Sequence, residues 1–256
     1  MKIIYLANNR VGLQVLQWLK EQGEEITGLV IHPQGKQKFA EEIRSAAALP
    51  SGRVFYGTQL GEPAVLEAVR ELEADIALSV YFGYILKGEM ISIFPKGVIN
   101  LHPAYLPYNR GAYPNVWSIV EGTPAGTTLH YVEEGVDTGD IIAQKEVPVE
   151  PVDTGETLYR KLEEASLALF RETWPLIREG KAPRIVQDKA AGTCHRTGDV
   201  EKIDEIKLDA AYCARDLINI LRARTFPPHK GAYFTLEGGK RIYLRLQLLY
   251  EVELER

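Results

Sequence analysis

Followed by its apolar and polar positions, the first half of the chain alternates short apolar runs with segments of helical period. Ile3 to Ala7 is apolar and rich in β-branched residues. Val11, Leu13, Val15, Leu16, Trp18 and Leu19 recur at helical spacing between Val11 and Gln22, and Gly23 suits the end of a helix. Strand is expected again from Ile26 to Ile31, with helices from Lys38 to Ala48 and from Pro63 to Glu73. Asp75 to Tyr81 (DIALSVY) and Gly97 to His102 (GVINLH) are compact runs between turn residues, the pattern of strands buried on both faces. Strands separated by helices predict an α/β fold with a doubly wound, mostly parallel sheet. In such sheets ligands bind beyond the carboxyl ends of the strands.

The second half predicts a helix from Pro114 to Glu121, a strand from Gly126 to Val132 and a turn from Glu133 to Asp140. Another strand begins at Ile141, and a long amphipathic helix runs from about Thr154 to Arg178. Asp153 is its expected N-cap, with Glu156 in capping-box position. Gly180 to Arg184 reads as a linker. Beyond it come a helix from Asp209 to Leu221 and a hairpin turning at Glu237-Gly238-Gly239-Lys240. The pattern divides the chain into residues 1–182 and a small C-terminal helix-plus-β-hairpin subdomain, 183–256. A chain of 256 residues has room for one such α/β domain and its annex.

Charge and cysteine usage narrow the function classes. The formal net charge is −5, so bulk electrostatics recruit no nucleic acid. Cys194 and Cys213 have no CxxC spacing, which suits a reduced, cytoplasmic setting. The opening MKIIYLANNR breaks too early for a signal peptide. No run approaches the roughly 20 apolar residues of a membrane span.

The candidate chemistry lies at one strand end. Asn100 and His102 are two residues apart, so both side chains leave the same face while Leu101 points into the core. Pro103 stops the strand. The turn VDTGD supplies Asp137 between Gly135 and Gly139. Taken singly, such residues most often cap, hydrogen-bond or shape a turn. Together, a carboxamide, an imidazole and a carboxylate suit acyl transfer to an amine. The imidazole would take the amine proton, the carboxamide would meet the developing oxyanion, and the carboxylate would orient the imidazole or stabilise its cation. No GxSxG is present and neither cysteine is near, which favours direct transfer over a covalent intermediate. The five histidines include no close pair in sequence, so no metal is expected. ANNRVG has one glycine where a dinucleotide loop needs three.

NLHPAYLPYNRG followed by GTTLHYVEEGVDTGDII resembles the formyltransferase family that uses 10-formyltetrahydrofolate, over roughly Met1 to Gly180. The family includes methionyl-tRNA, glycinamide ribonucleotide and sugar N-formyltransferases. The resemblance implies a Rossmann-like formyltransferase fold, with Asn100, His102 and Asp137 as catalytic residues. It also implies a folate cleft lined by Tyr84, Ile85 and Leu86 and by Glu134, Gly135 and Val136. Apolar walls with backbone groups at the edge are what a flat heterocycle needs.

The acceptor branch follows from the tail. A ribonucleotide-type enzyme would end near Gly180 and carry a glycine-rich first loop. A tRNA-type enzyme would need a larger barrel and a basic surface. From Glu201 onward there are ten Lys/Arg against nine Asp/Glu. INILRARTFPPHKGAYF with LEGGKRIYL is similar to the C-terminal part of the sugar N-formyltransferases, which implies a nucleotide-linked amino sugar as acceptor, in the service of surface glycans. Tyr105 and Tyr108, after His102, are the expected contacts for base and sugar, among a group with Tyr81, Phe82, Tyr84 and Tyr113. Asn9 and Arg10 would meet phosphates at a helix N-terminus. A methionyl-tRNA formyltransferase and a formyltetrahydrofolate hydrolase are the competing enzymatic readings. Phe234, Leu236, Ile242, Leu244, Leu246 and Leu248 give the hairpin an apolar face, which predicts a homodimer.

Overall fold

A computed structural model describes residues 1–188 and 190–254. In chain order the elements are β1 (Lys2–Ala7), α1 (Arg10–Glu21), β2 (Glu25–Ile31), α2 (Ala40–Ala47), β3 (Val54–Tyr56), α3 (Pro63–Glu71), β4 (Ile76–Val80) and α4 (Gly88–Ile91). There follow β5 (Val98–His102), β6 (Arg110–Gly111), α5 (Pro114–Glu121), β7 (Gly126–Tyr131), β8 (Ile141–Glu146) and α6 (Gly155–Arg178). The C-terminal part contains β9 (Cys194–His195), α7 (Glu201–Asp204), α8 (Ala214–Ala223), β10 (Tyr233–Thr235), β11 (Arg241–Tyr243) and α9 (Glu251–Leu254).

Seven strands form one sheet in the order β3-β2-β1-β4-β5-β7-β8. The first five are parallel, and β7 and β8 continue the sheet antiparallel. The expected mostly parallel sheet is therefore present. Alternation sorts the apolar residues of each strand to two covered faces. Ile3 and Tyr5 pack with Leu16, Leu19, Phe170 and Trp174 of α1 and α6, while Ile4 and Leu6 pack with Leu66, Val69 and Met90 of α3 and α4. Chain order leaves β1 at the middle, with β2 on one side and β4 on the other, and a cleft opens beyond this point.

Local chemistry sets the helix ends. Asn9 caps α1, its Oδ1 accepting from the Gly12 N–H at 3.0 Å. Gly12 is required by proximity: a Cβ there would stand 2.6 Å from that of Ala7. At α6 the cap is Thr154, in a capping box with Thr157, and not Asp153 with Glu156. Asp153 instead accepts from the Glu150 N–H, the Thr157 hydroxyl and Lys161, holding the turn that leads into the helix. Helix α8 begins at Ala214, five residues later than the Asp209 start expected from periodicity. The Tyr212 hydroxyl takes the Lys207 N–H at 2.9 Å and keeps the intervening residues in a loop.

The hairpin is shorter than its alternation suggested. β10 and β11 pair at three positions around a turn in which Gly238 and Gly239 both have positive φ. Past Tyr243 the second arm leaves its partner. Leu244 N–H still reaches the Ala232 carbonyl, but Leu246 N–H goes to the Thr225 hydroxyl at the end of α8. A third apolar cluster, with Val116, Trp117, Leu158, Leu162, Val200 and Ala223, seats this part against α5 and α6. Arg222 crosses the same junction, donating to the carbonyls of Glu150, Pro151 and Asp153.

The contact at Gly12 is testable. Gly12→Val forces α1 off β1, and overpacking of this kind costs about 1–3 kcal/mol. Thermal unfolding should show a clear fall in Tm; a Tm within a degree of the parent would refute the close-approach argument.

Candidate active site

The cleft holds about 590 Å³ and lies at the carboxyl ends of β1, β4 and β5. Asn8 and Asn9 enter it after β1, Tyr81 after β4, and Asn100 and His102 from the last turn of pleat in β5. Asp137 comes from the β7–β8 turn. The structure thus brings the three sequence-predicted catalytic residues together.

His102 is 8% exposed, and its Nε2 has no hydrogen-bond partner. Burial lowers its pKa, opposed by the Asp137 charge and assisted by His130, with a backbone hydrogen bond to Asn109 raising it. A backbone bond that favours the imidazolium is one to the carbonyl, so the ring donates there through its other nitrogen. The neutral ring then carries its lone pair on the buried Nε2. Asp137 Oδ2 stands 3.5 Å from that nitrogen. Proton uptake at Nε2 would create a cation beside a carboxylate.

The carboxyl of Asp137 is nearly buried, which by itself would raise its pKa. The neighbouring His102 and His130 rings and the Gly111 N–H at 2.9 Å outweigh burial and hold it well below the usual carboxylate range. The site therefore pairs a neutral base with an ionised acid at neutral pH. The backbone of Asp137 sits at φ 51°, a left-handed conformation that costs a non-glycine residue about 1–3 kcal/mol when the surroundings enforce it.

His130 was not visible as a site residue in the sequence. It lies directly opposite Asn100 in the β5–β7 register. Its Nδ1 faces its neighbour's carbonyl, Tyr131 O, at 2.8 Å, so the neutral ring donates there and accepts at Nε2 from Asn100 Nδ2 at 3.1 Å. Asn100 Nδ2 also reaches Asp137 Oδ1 at 3.4 Å. The rings of His102 and His130 stand perpendicular, 6.3 Å between centroids. Two histidines distant in sequence are thus neighbours in space. Antiparallel pairing brings them together, and only the register of β7 would have revealed it.

Of the six positions expected to line a folate cleft, Tyr84, Ile85, Leu86, Gly135 and Val136 do line this one. Glu134 turns toward Gly88 instead. Ile85 is 72% exposed, an apolar side chain presented to solvent beside the cleft. Tyr84 OH and Thr138 Oγ1 are buried without partners along the same wall. Apolar surface edged by unsatisfied polar atoms fits a flat heterocycle with polar substituents.

The predicted acceptor contacts separate. Asn9 reaches the cleft, and its Nδ2 donates to the Tyr159 hydroxyl at 3.3 Å. Arg10 points away and pairs with Glu163 at 2.8 Å. Tyr105 and Tyr108 do not line the cleft, contrary to the expected clustering. Tyr105 instead packs over Gly126 of β7. Tyr81, Tyr113 and Tyr159 take the places facing the cleft, with Lys38 as a cation there.

A buried imidazole with a free lone pair, an ionised carboxylate and a carboxamide define a site for acyl transfer to an amine. Residues 33–173 match the family model described as formyl transferase, and residues 199–250 match the N-formyltransferase dimerization C-terminal domain. The chain belongs to the formyl transferase family and is a formyl-transferring enzyme. A methionyl-tRNA formyltransferase of Geotalea daltonii is 30% identical over 244 residues, which span 93% of this chain and 77% of that protein. A 4-N formyltransferase from Francisella tularensis superposes with a TM-score of 0.80 at 27% identity, over 97% of this chain and 98% of that one. The formyltransferase PseJ from Anoxybacillus kamchatkensis, solved with UDP-4,6-dideoxy-4-formamido-L-AltNAc and tetrahydrofolate, is 34% identical with a TM-score of 0.59, over 79% of this chain and 89% of that one.

The electrostatics carry a prediction. His102 should titrate below the ordinary value of about 6.5, and Asp137→Asn should lower it further, since the lost charge favoured the cation. Histidine ring resonances followed by NMR across pH, with His102 assigned through His102→Asn, measure both. An upward move in Asp137→Asn would contradict the arrangement.

Proposed function

We propose that this protein transfers the formyl group of 10-formyltetrahydrofolate to the amine of a nucleotide-linked amino sugar, by direct attack. The observation that carries the reading is the buried, unpartnered Nε2 of His102, on a residue that lines the cleft together with Asn100 and Asp137. His102 accepts the proton that the attacking amine loses as its C–N bond to the formyl carbon forms. Asn100 donates an amide hydrogen to the oxygen that gains charge, giving up the longer of its two present contacts, the one to Asp137. Asp137 stabilises the imidazolium until His102 returns the proton to the departing nitrogen of the folate. That proton's return lets the old C–N bond break, and the enzyme is restored.

Tyr84, Ile85, Leu86, Gly135 and Val136 would hold the folate, whose bound form supplies the activated formyl group. The acceptor would lie toward β1 and β4. Asn9, Tyr159 and Lys38 offer hydrogen bonds and a positive charge there, and Tyr81 and Tyr113 offer ring faces. Arg10 is neutralised by Glu163, so the phosphate contact that sequence assigned to it passes to Lys38 and the N-terminus of α1. PseJ, solved with a UDP-linked formamido sugar, supports a sugar-linked amine. The methionyl-tRNA relative supports the competing reading, which the net charge of −5 and the balanced tail disfavour.

We further propose a homodimer through residues 199–250, a reading supported by the dimerization-domain match. Phe234, Ile242, Leu244, Leu246 and Leu248 are half-buried, whereas Leu236 is exposed. Ile218, Tyr243 and Leu249 add further exposed apolar surface on the same subdomain.

Three measurements test the proposal. Removing a general base costs about 10²- to 10⁴-fold, so His102→Asn should fold normally and lose that much turnover; a near-parental kcat would remove His102 from its role. Supplied with 10-formyltetrahydrofolate, the enzyme should formylate a UDP- or dTDP-linked 4-amino-4,6-dideoxysugar, act poorly on the free sugar and spare methionyl-tRNA. Remote binding energy from the nucleotide explains the loss with free sugar. Formylation of the tRNA at comparable kcat/KM would overturn the acceptor assignment, and formate release at equal rate without amine would make the enzyme a hydrolase. Light scattering should give twice the chain mass at micromolar concentration, and a monomer would end the dimer proposal.

A further inference from the structure

The segment that links the two parts of the chain is built into the catalytic turn. Sequence places residues 183–256 outside the catalytic domain, yet Ile185, Gln187 and β9 lie against its Asp137 turn and β6. Ile185 exchanges both backbone hydrogen bonds with Ile141 at the end of the Asp137 turn. Gln187 follows, 5% exposed. Its Nε2 donates to the Asp137 carbonyl at 2.9 Å and to the Gly139 carbonyl at 2.6 Å. Its Oε1 accepts from Arg110 at 3.3 Å, so every polar atom of the carboxamide is used. Further on, β9 pairs with β6, and the His195 carbonyl accepts from Ala112 N–H at 2.9 Å. That pairing presses on Gly111, where a Cβ would meet the His195 carbonyl oxygen at 2.3 Å.

Asp137 is therefore gripped at two points by one segment. Its carboxylate takes the N–H of Gly111, whose strand β9 holds, and its main chain is tied by Gln187. Such a grip is needed. The residue is in the left-handed region, and Gly139 passes so close to Tyr131 that a Cβ would stand 1.9 Å from its carbonyl oxygen. Two amide hydrogens on the carbonyls at either side of Thr138 fix the turn in this conformation.

We propose that Gln187 is a positioning residue for Asp137, and that the interdomain linker thereby completes the catalytic site. The inference rests on the reading of Asp137 as the partner of His102. Without Gln187 the turn relaxes, the carboxylate moves from His102 Nε2, and the imidazolium loses its support. Asp137 and His130 are the titratable groups facing His102, and only Asp137 favours its cation. Displacing that carboxylate moves the acid limb of the rate profile to lower pH.

The test compares Gln187→Ala, which removes both donors, and Gln187→Glu, which keeps the shape but sets oxygens against two carbonyls. Each should lower kcat about tenfold to 10²-fold, the cost of a small misplacement of a catalytic group. KM for the amino-sugar acceptor should stay within about threefold, since Gln187 touches no acceptor contact. The acid limb of kcat should shift down in the same direction as in Asp137→Asn. A kcat within twofold of the parent, or a loss of kcat with the acid limb unmoved, overturns the inference. In the parent protein labelled at glutamine nitrogen, the Gln187 side-chain amide protons should exchange slowly. Fast exchange would overturn the inference even if neither variant folds. Asp137→Asn with near-parental kcat would instead refute the underlying site reading, whereas an inactive Asp137→Asn beside normal Gln187 variants would refute the linker's role alone.

Discussion

The buried negative charge of Asp137 is the constraint around which the site is arranged. A carboxylate removed from water is tolerated only if donors and cations replace the lost solvent. Here the donors are the Gly111 N–H and the Asn100 amide, and the rings of His102 and His130 each stand 3.5 Å away. None is adjacent in sequence. β5 must end beside β7 for Asn100 to face His130, and the loop after His102 must return to place Gly111. The sheet order satisfies both, because β5 sits between β4 and the antiparallel β7. The fold delivers polar groups to one charge, and the chemistry follows from that charge.

The same requirement explains what the sequence could and could not reveal. Asn100 and His102 were legible because strand alternation is local and places residues two apart on one face. Asp137 was legible through the glycines that let its turn close. His130 depends on cross-strand register, set by long-range pairing. Gln187 depends on a contact across 50 residues, and nothing near it in sequence marks it as special. The helices whose ends shifted did so for a related reason. Thr154 displaced Asp153 as cap, and the Tyr212 hydroxyl delayed α8, through side-chain bonds that apolar periodicity does not register. Tyr105 and Tyr108 lie near His102 in sequence but outside the lining of the cleft. Aromatic clustering along a chain is weak support for clustering at a site.

The cleft divides into two chemistries along its length. At one end Ile85 and Leu86 present apolar surface edged by unpartnered polar atoms of Tyr84 and Thr138. At the other end are Asn9, Tyr159 and Lys38, beside the first turn of α1. His102 lines the same cleft, which suits a reaction joining a flat heterocyclic donor to a polar acceptor. The salt bridge of Arg10 with Glu163 removes one positive charge from the acceptor end.

The opposed titration of His102 and Asp137 also decides how the transfer can proceed. An imidazole that was already charged could not take a proton, and a protonated carboxyl could not stabilise the cation formed. Burial keeps the ring neutral, while the Gly111 N–H and the Asn100 amide favour the ionised acid, so each group waits in the state it needs. The proton then moves only when an amine becomes acidic, that is, as it bonds to the formyl carbon. Water in the same position is a weaker nucleophile, and its attack would place the same demand on His102 without the remote contacts of a larger acceptor to hold it in line. The linker that steadies Asp137 sharpens this selection. A carboxylate free to wander would stabilise the imidazolium in many geometries, whereas one tied by Gln187 and Gly111 does so only when Nε2 is protonated in place.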